Sequence, residues 1–174
     1  MNTIAITGDA ECKNTTNLIK RMFNNSNLFN EKKHNLSIEY DNLSLKSYDV
    51  AIILGDKFLS SDILNILNEC SCILINSDIK GINKLLVSTH AKKIITFGLN
   101  CKSTVTASSI STDDYKKVAI CIQREISTFG NKTIPQQEFS IKTKLDNIDV
   151  YSILSGVTTA ILYDIPIEKI NDIM

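Results

Sequence analysis

The chain has 174 residues, 43% hydrophobic and 22% charged, which is enough for one sizeable core and near the globular average. Lys plus Arg and Asp plus Glu both number 19, so no global field exists for a phosphate backbone or an anionic membrane, and nucleic acid is an unexpected partner. MNTIAITGDAECKN carries no basic n-region and meets Asp9 and Glu11 before an apolar run can form, so no signal peptide is read, and no apolar window is long enough to span a bilayer. The five cysteines are odd in number and irregularly spaced, which fits reduced thiols and a cytoplasmic location. Cys70 and Cys72 form C-x-C with no second pair at metal-finger spacing, so no metal site is assigned to them.

In chain order, Thr3 to Thr7 is a short β-branched strand closed by Gly8, and residues 15 to 23 put Leu18, Ile19, Met22 and Phe23 on one helical face. The Asn-rich stretch 24 to 35 reads as a loop, and residues 36 to 39 as an edge strand. Residues 48 to 54 (YDVAIIL) form an almost unbroken apolar run, as a strand covered on both faces requires. A helix follows over 61 to 69, a buried strand over 72 to 75, a helix facing inward through Ile82, Leu85, Leu86 and His90, and a strand over 93 to 97. Such alternation predicts right-handed crossovers and a mostly parallel, doubly wound α/β sheet, with the first strand near its centre.

After Gly98 the period changes. STVTASSI at 103 to 110, KVAICIQR at 117 to 124 and EFSIKTK at 138 to 144 alternate like strands, which predicts a small antiparallel appendix. The tail returns to helical spacing through Val150, Ile153, Leu154, Val157, Ile161 and Leu162, stops before Pro166, and resumes as a short helix to about Ile173. No repeat or linker interrupts residues 1 to 174, so a single domain is expected.

Four segments, taken in order, resemble the central ATP-binding domain of the Mur ligases and their folylpolyglutamate synthase relatives. ITGDAECKNTTNLI at 6 to 19 is similar to the opening ITGTNGKTTTTNLI of that family, and CILINSDI at 72 to 79 to a strand ending Asn-Ala-Asp-Asp. IITFGLNCKSTVTASSI at 94 to 110 is similar to its ITFG stretch and the strand beyond. DVYSILSGVTTAILYDIPIEKI at 149 to 170 is similar to its helix NVYNALAAIAAALALGIPLEDI. These segments make up about a third of the chain. The resemblance implies a P-loop-like, mostly parallel fold and ATP-dependent amide synthesis through an acyl phosphate, work done by positioning and charge neutralisation.

Transferred residue by residue, the resemblance assigns Gly8, Lys13, Asn14, Thr15 and Thr16 to the phosphate loop and Asn147, Asp149 and Ser152 to the adenine side. It also shows what has changed. Cys12 stands where the family has glycine before the lysine, the interval from Gly8 to Lys13 is one residue longer, and Asn14 replaces a threonine that ligates Mg²⁺. Leu54 falls where a metal-binding Glu stands, and in a second alignment Ile63 falls where the metal-binding His stands. Asp56 and Asp62 are read as turn or cap residues, as are Asn76 and Asp78. Neither His34 nor His90 has a partner at a motif spacing, and Lys92-Lys93 and Lys116-Lys117 read as solvated ends of elements.

The expectation is therefore a shortened, degenerate Mur-ligase-like domain that binds a nucleotide or a protein partner without ligating alone. ATP is the expected ligand, held weakly, with no catalytic residue and no metal ligand assigned. Two alternatives stand beside it: the ATP-binding subunit of a split acid–amino-acid ligase whose missing domains a partner supplies, and a scaffold that binds no ligand.

Overall fold

A computed structural model describes residues 2–8, 11–26, 36–40, 43–44, 47–56, 61–112, 115–144 and 148–173. The helices are α1 (Glu11–Asn25), α2 (Ser61–Glu69), α3 (Ile82–Ser88), α4 (Val150–Leu162) and α5 (Ile167–Ile173). The first five strands are β1 (Asn2–Thr7), β2 (Leu36–Tyr40), β3 (Val50–Ile53), β4 (Cys72–Asn76) and β5 (Ile94–Gly98). They are followed by β6 (Val105–Thr112), β7 (Lys116–Ile122), β8 (Ile126–Ser127), β9 (Thr133–Ile134) and β10 (Gln137–Thr143). Eight of them form one sheet in the order β10-β7-β6-β5-β4-β3-β1-β2, and β8 and β9 pair separately. From β2 to β6 every pairing is parallel; β6, β7 and β10 are antiparallel.

The periodicities explain the layers. Every residue of β3 and β4 is buried, because one set of side chains, including Val50, Ile52 and Leu74, packs with α1, α4 and α5. The alternate set, Ala51, Ile53, Ile73 and Ile75, packs with α2 and α3. In β7 only one set, Val118, Ile120 and Ile122, enters the main core, while Lys117 is exposed and Cys121 half-buried. Helix α4 is buried all round from Ser152 to Leu162. Three of its hydroxyls are satisfied within the helix: Ser155, Thr158 and Thr159 each donate to the carbonyl four residues back at 2.7 Å. Gly156 lets α1 approach, since a Cβ there would lie 2.8 Å from Leu18 Cδ2.

Three expectations change. Helix α1 begins at Glu11 rather than at residue 15 and runs on to Asn25; residues 27–35 of the expected loop lie outside the described residues. β1 is second from the edge, because β2 pairs on its outer side and the three antiparallel strands extend the other end. The antiparallel strands expected after Gly98 are present, joined to the main sheet through Phe97↔Val105 and Gly98↔Thr106, and β8 and β9 pair as a small antiparallel sheet of their own. Helix α3 ends at Ser88, and the His90 backbone N–H beyond it donates to Asn68 Oδ1 at 2.8 Å. Among the described residues no helix is long and apolar enough to cross a membrane.

Candidate functional site

From β1 the chain runs outward to β2 and returns to β3 on the other side of β1, so the strand order reverses between β1 and β3. In an open α/β sheet the crevice at such a point, outside the carboxyl ends of the strands, is where ligands bind. Gly8 ends β1 there. A Cβ on it would lie 2.8 Å from Leu54 Cβ and 2.9 Å from the Gly55 nitrogen, so packing against the end of β3 itself requires glycine. Residues 9–10 and 57–60 lie outside the described residues.

Helix α1 begins at Glu11, three positions after Gly8, with its N-terminus on the crevice side of β1. Lys13 and Asn14 are exposed on its first turn, whereas Cys12, Thr15 and Thr16 are buried. Thr16 Oγ1 donates to the Cys12 carbonyl at 2.8 Å. Thr15 Oγ1 donates to Ser152 Oγ at 3.1 Å, Ser152 Oγ donates to Asp149 Oδ2 at 2.5 Å, and the Ser152 backbone N–H donates to Asp149 Oδ1 at 2.7 Å. Asp149 is thus the N-cap of α4 and its carboxylate satisfies that helix end. Three of the residues expected to face a nucleotide, from opposite ends of the sequence, do come together, but they are bonded to one another. Asn147 lies outside the described residues.

A second cluster, read from sequence as simple turns, closes the other half of the crevice. Asn76 Oδ1 accepts the Asp78 N–H at 3.0 Å, the expected turn, while Asn76 Nδ2 reaches the Leu54 carbonyl at 3.3 Å and ties β4 to β3. The Asp78 carboxylate accepts the Leu99 N–H and Asn100 Nδ2, each at 2.6 Å, and the Tyr151 hydroxyl from α4. Burial first, and the neighbouring Asp78 second, hold that hydroxyl above the ordinary tyrosine range. Ser77 Oγ and Ser103 Oγ are 2.7 Å apart, and Asn100 Nδ2 also donates to Ser77 Oγ at 2.8 Å. Gly98 lies beneath: a Cβ there would meet Ser77 Oγ at 2.7 Å, Asp78 Oδ2 at 2.9 Å and Ser103 Oγ at 3.0 Å. The sequence signal was a small polar triplet after one apolar run, N-S-D, and G-L-N after the next. Beside the cluster a cleft of ≈590 Å³ opens between α3 and the turn after β5.

The positions compared with metal ligands are filled by apolar side chains: Leu54 is buried in the core and Ile63 packs against the α2 and α3 side. Asp56 is exposed, and among the described residues no three His, Cys, Asp or Glu side chains are grouped to hold a metal. Burial pushes the Cys70 thiol up to about 11 and the Cys72 thiol up to about 12, so both are protonated at neutral pH. Two lysines read as solvated have structural partners instead. Lys93 Nζ donates to the Ser127 carbonyl at 2.8 Å and sits over the Phe129 ring, and Lys116 Nζ donates to the Ile148 carbonyl ahead of α4.

No family model and no curated protein matches the sequence. Solved structures do match. The UDP-N-acetylmuramoylalanyl-D-glutamyl-2,6-diaminopimelate–D-alanyl-D-alanyl ligase of Acinetobacter baumannii superposes with a TM-score of 0.69 and 12% identity, over 99% of this chain and 45% of that one. The murein peptide ligase of Psychrobacter arcticus 273-4 gives 0.68 and 10%, over 99% and 46%. The MurF ligase of Thermotoga maritima in complex with ADP gives 0.59 and 9%, over 98% and 48%. At such identities the likeness is one of fold: this chain has a Mur-ligase-like fold resembling the central domain, and it spans about half the length of the structures it matches.

Proposed function

We propose that this chain is a degenerate Mur-ligase-like domain that binds a nucleotide or a protein partner without ligating by itself. The reading rests chiefly on the closed chain of hydrogen bonds Thr15–Ser152–Asp149. Those hydroxyls sit where the resemblance puts a phosphate on one side and a base on the other, and they are spent on joining α1 to α4. What stays open to an anion is the first turn of α1, where the backbone N–H groups of Glu11, Cys12 and Lys13 and the exposed Lys13 ammonium supply a partial and a full positive charge. A triphosphate held there by one turn and one lysine binds weakly, and Mg²⁺ adds little. The five unbridged cysteines accord with a cytoplasmic setting.

Calorimetric titration with ATP, with and without Mg²⁺, tests this, beside a phosphate-release assay containing candidate amino acids. The expected result is weak binding, reduced in Lys13→Ala and little changed by Mg²⁺, with no turnover. Losing two oriented charge-stabilising groups removes on the order of four decades of rate or more. Micromolar, Mg²⁺-dependent binding that Lys13→Ala abolishes would overturn the reading. It would favour the split-ligase alternative, in which a partner polypeptide completes an ATP-dependent amide ligase.

A further inference from the structure

The cleft beside α3 has no part in the reading above. Its ≈590 Å³ lies within the range of small-molecule sites. Ile79, Ile82 and Leu86 give it an apolar wall, and polar side chains from the ends of β4 and β5 and from α3 make its rim.

Hydrogen-bond accounting decides what such a rim can recognise. Asn100 places its amide nitrogen between Ser77 Oγ and Asp78 Oδ1, at 2.8 and 2.6 Å, and its oxygen accepts the Lys102 N–H at 2.8 Å. The Ser77 hydroxyl is engaged with Ser103 Oγ and with the Phe97 carbonyl at 3.2 Å. The Asp78 carboxylate already receives Leu99, Asn100 and Tyr151, neutral donors that occupy its acceptor sites and leave its charge in place. These groups are a fixed wall. Among the described residues, the rim side chains with no hydrogen bond or ion pair are the Lys102 ammonium, the Asn83 amide and the Cys101 thiol, all exposed, the thiol being only a weak donor. The ammonium is a cationic donor, and the amide is a neutral group that can turn its NH2 toward a carboxylate. An apolar wall beneath two uncommitted donors suits an apolar body with an anionic head. A cationic head would meet Lys102 and find Asp78 already supplied.

We propose that the cleft between α3 and the 99–104 turn binds a small monocarboxylic acid, its carboxylate at Lys102 and Asn83 and its apolar body on Ile79, Ile82 and Leu86. The probe is hexanoate, titrated into the isotopically labelled full chain and followed by backbone amide NMR shifts, with hexylamine and hexanol as matched arms and no nucleotide present. Hexanoate is expected to move the amides of Ile79, Ile82, Asn83, Leu86 and Lys102 saturably, with a Kd on the order of a millimolar for so small a ligand. Hexanol should bind severalfold more weakly, and hexylamine should not saturate. Lys102→Gln, at an exposed position, should weaken hexanoate roughly threefold to tenfold, while Lys84→Gln, on α3 but outside the cleft, should leave it unchanged. Hexylamine binding as tightly as hexanoate, shifts that never saturate, or equal affinity in Lys102→Gln would each overturn the assignment.

Discussion

Two glycines end neighbouring parts of the crevice for different reasons. At Gly8 the space a side chain would need is filled by Leu54 Cβ and the Gly55 nitrogen, atoms fixed to the backbone. At Gly98 it is filled by the tips of three polar side chains, Ser77, Asp78 and Ser103. The first half is held by packing of one strand end on another. The second is held by a hydrogen-bonded network that glycine only makes room for. The same residue type at the same place in a strand–turn unit thus says nothing by itself about a ligand; what fills its missing Cβ does.

The larger loss is expected at Gly8. Gly8→Ala should cost about 3 kcal/mol, since backbone must move and the few tenths gained from a stiffer unfolded chain do not offset it. For a domain of this size that lowers Tm by roughly 6–12 °C in a calorimetric scan. Gly98→Ala should cost less, about 1.5 kcal/mol or roughly 3–6 °C, because hydroxyls and a carboxylate can swing aside at the expense of their hydrogen bonds. Equal losses at the two sites would erase the distinction. The two variants should also differ in reach: amide shifts in Gly98→Ala should spread to Asn100, Ser103 and Tyr151, and in Gly8→Ala to Leu54 and Gly55.

A third substitution tests the link from α1 to α4. Ser152→Ala removes the acceptor of the buried Thr15 hydroxyl and one of the two donors to Asp149, while the Asp149 cap on the Ser152 N–H remains. The expected loss is about 1 kcal/mol, read from denaturant midpoints at unchanged m. A double variant, Thr15→Val with Ser152→Ala, should recover part of it by removing both partners together.

These contacts show where sequence reading succeeded and where it stopped. The parallel half was legible because β3 and β4 are covered on both faces and their apolar runs say so directly, and α4 because its spacing is helical and Pro166 ends it. The continuation of the sheet into β6, β7 and β10 was not. Their alternation marks strands with one covered face, but which strand they join depends on a register between Phe97 and Val105 that no local pattern carries. Thr15 and Ser152 were each singled out, yet the bond between them spans 137 positions, and a hydroxyl offered to a phosphate looks the same in sequence as one offered to another hydroxyl. Asp78 was passed over because an Asp after a strand is ordinarily a turn residue. Its partners Leu99, Asn100 and Tyr151 lie in two other segments.

The smallest expected effect is the most discriminating. Tyr151 is the side chain through which α4, itself bonded to the Gly8 half by Ser152, touches the Gly98 half at Asp78. Tyr151→Phe keeps the ring and removes only the hydroxyl, so the net cost should be about 0.5–1 kcal/mol, as for a single partly exposed hydrogen bond. Its raised pKa adds a pH signature. The unfolded chain loses this proton first, near pH 10, so stability falls as pH rises through that value, and Tyr151→Phe should flatten the fall. Double-mutant cycles then separate the halves. Combined with Gly98→Ala, which disturbs Asp78 directly, Tyr151→Phe should be non-additive by about 0.5 kcal/mol or more, because part of what it removes is already lost. Combined with Gly8→Ala, whose clash is with Leu54 and Gly55, it should add within about 0.3–0.5 kcal/mol. Coupling of equal size in both cycles would mean that the crevice behaves as one unit, with α4 transmitting strain from one strand end to the other.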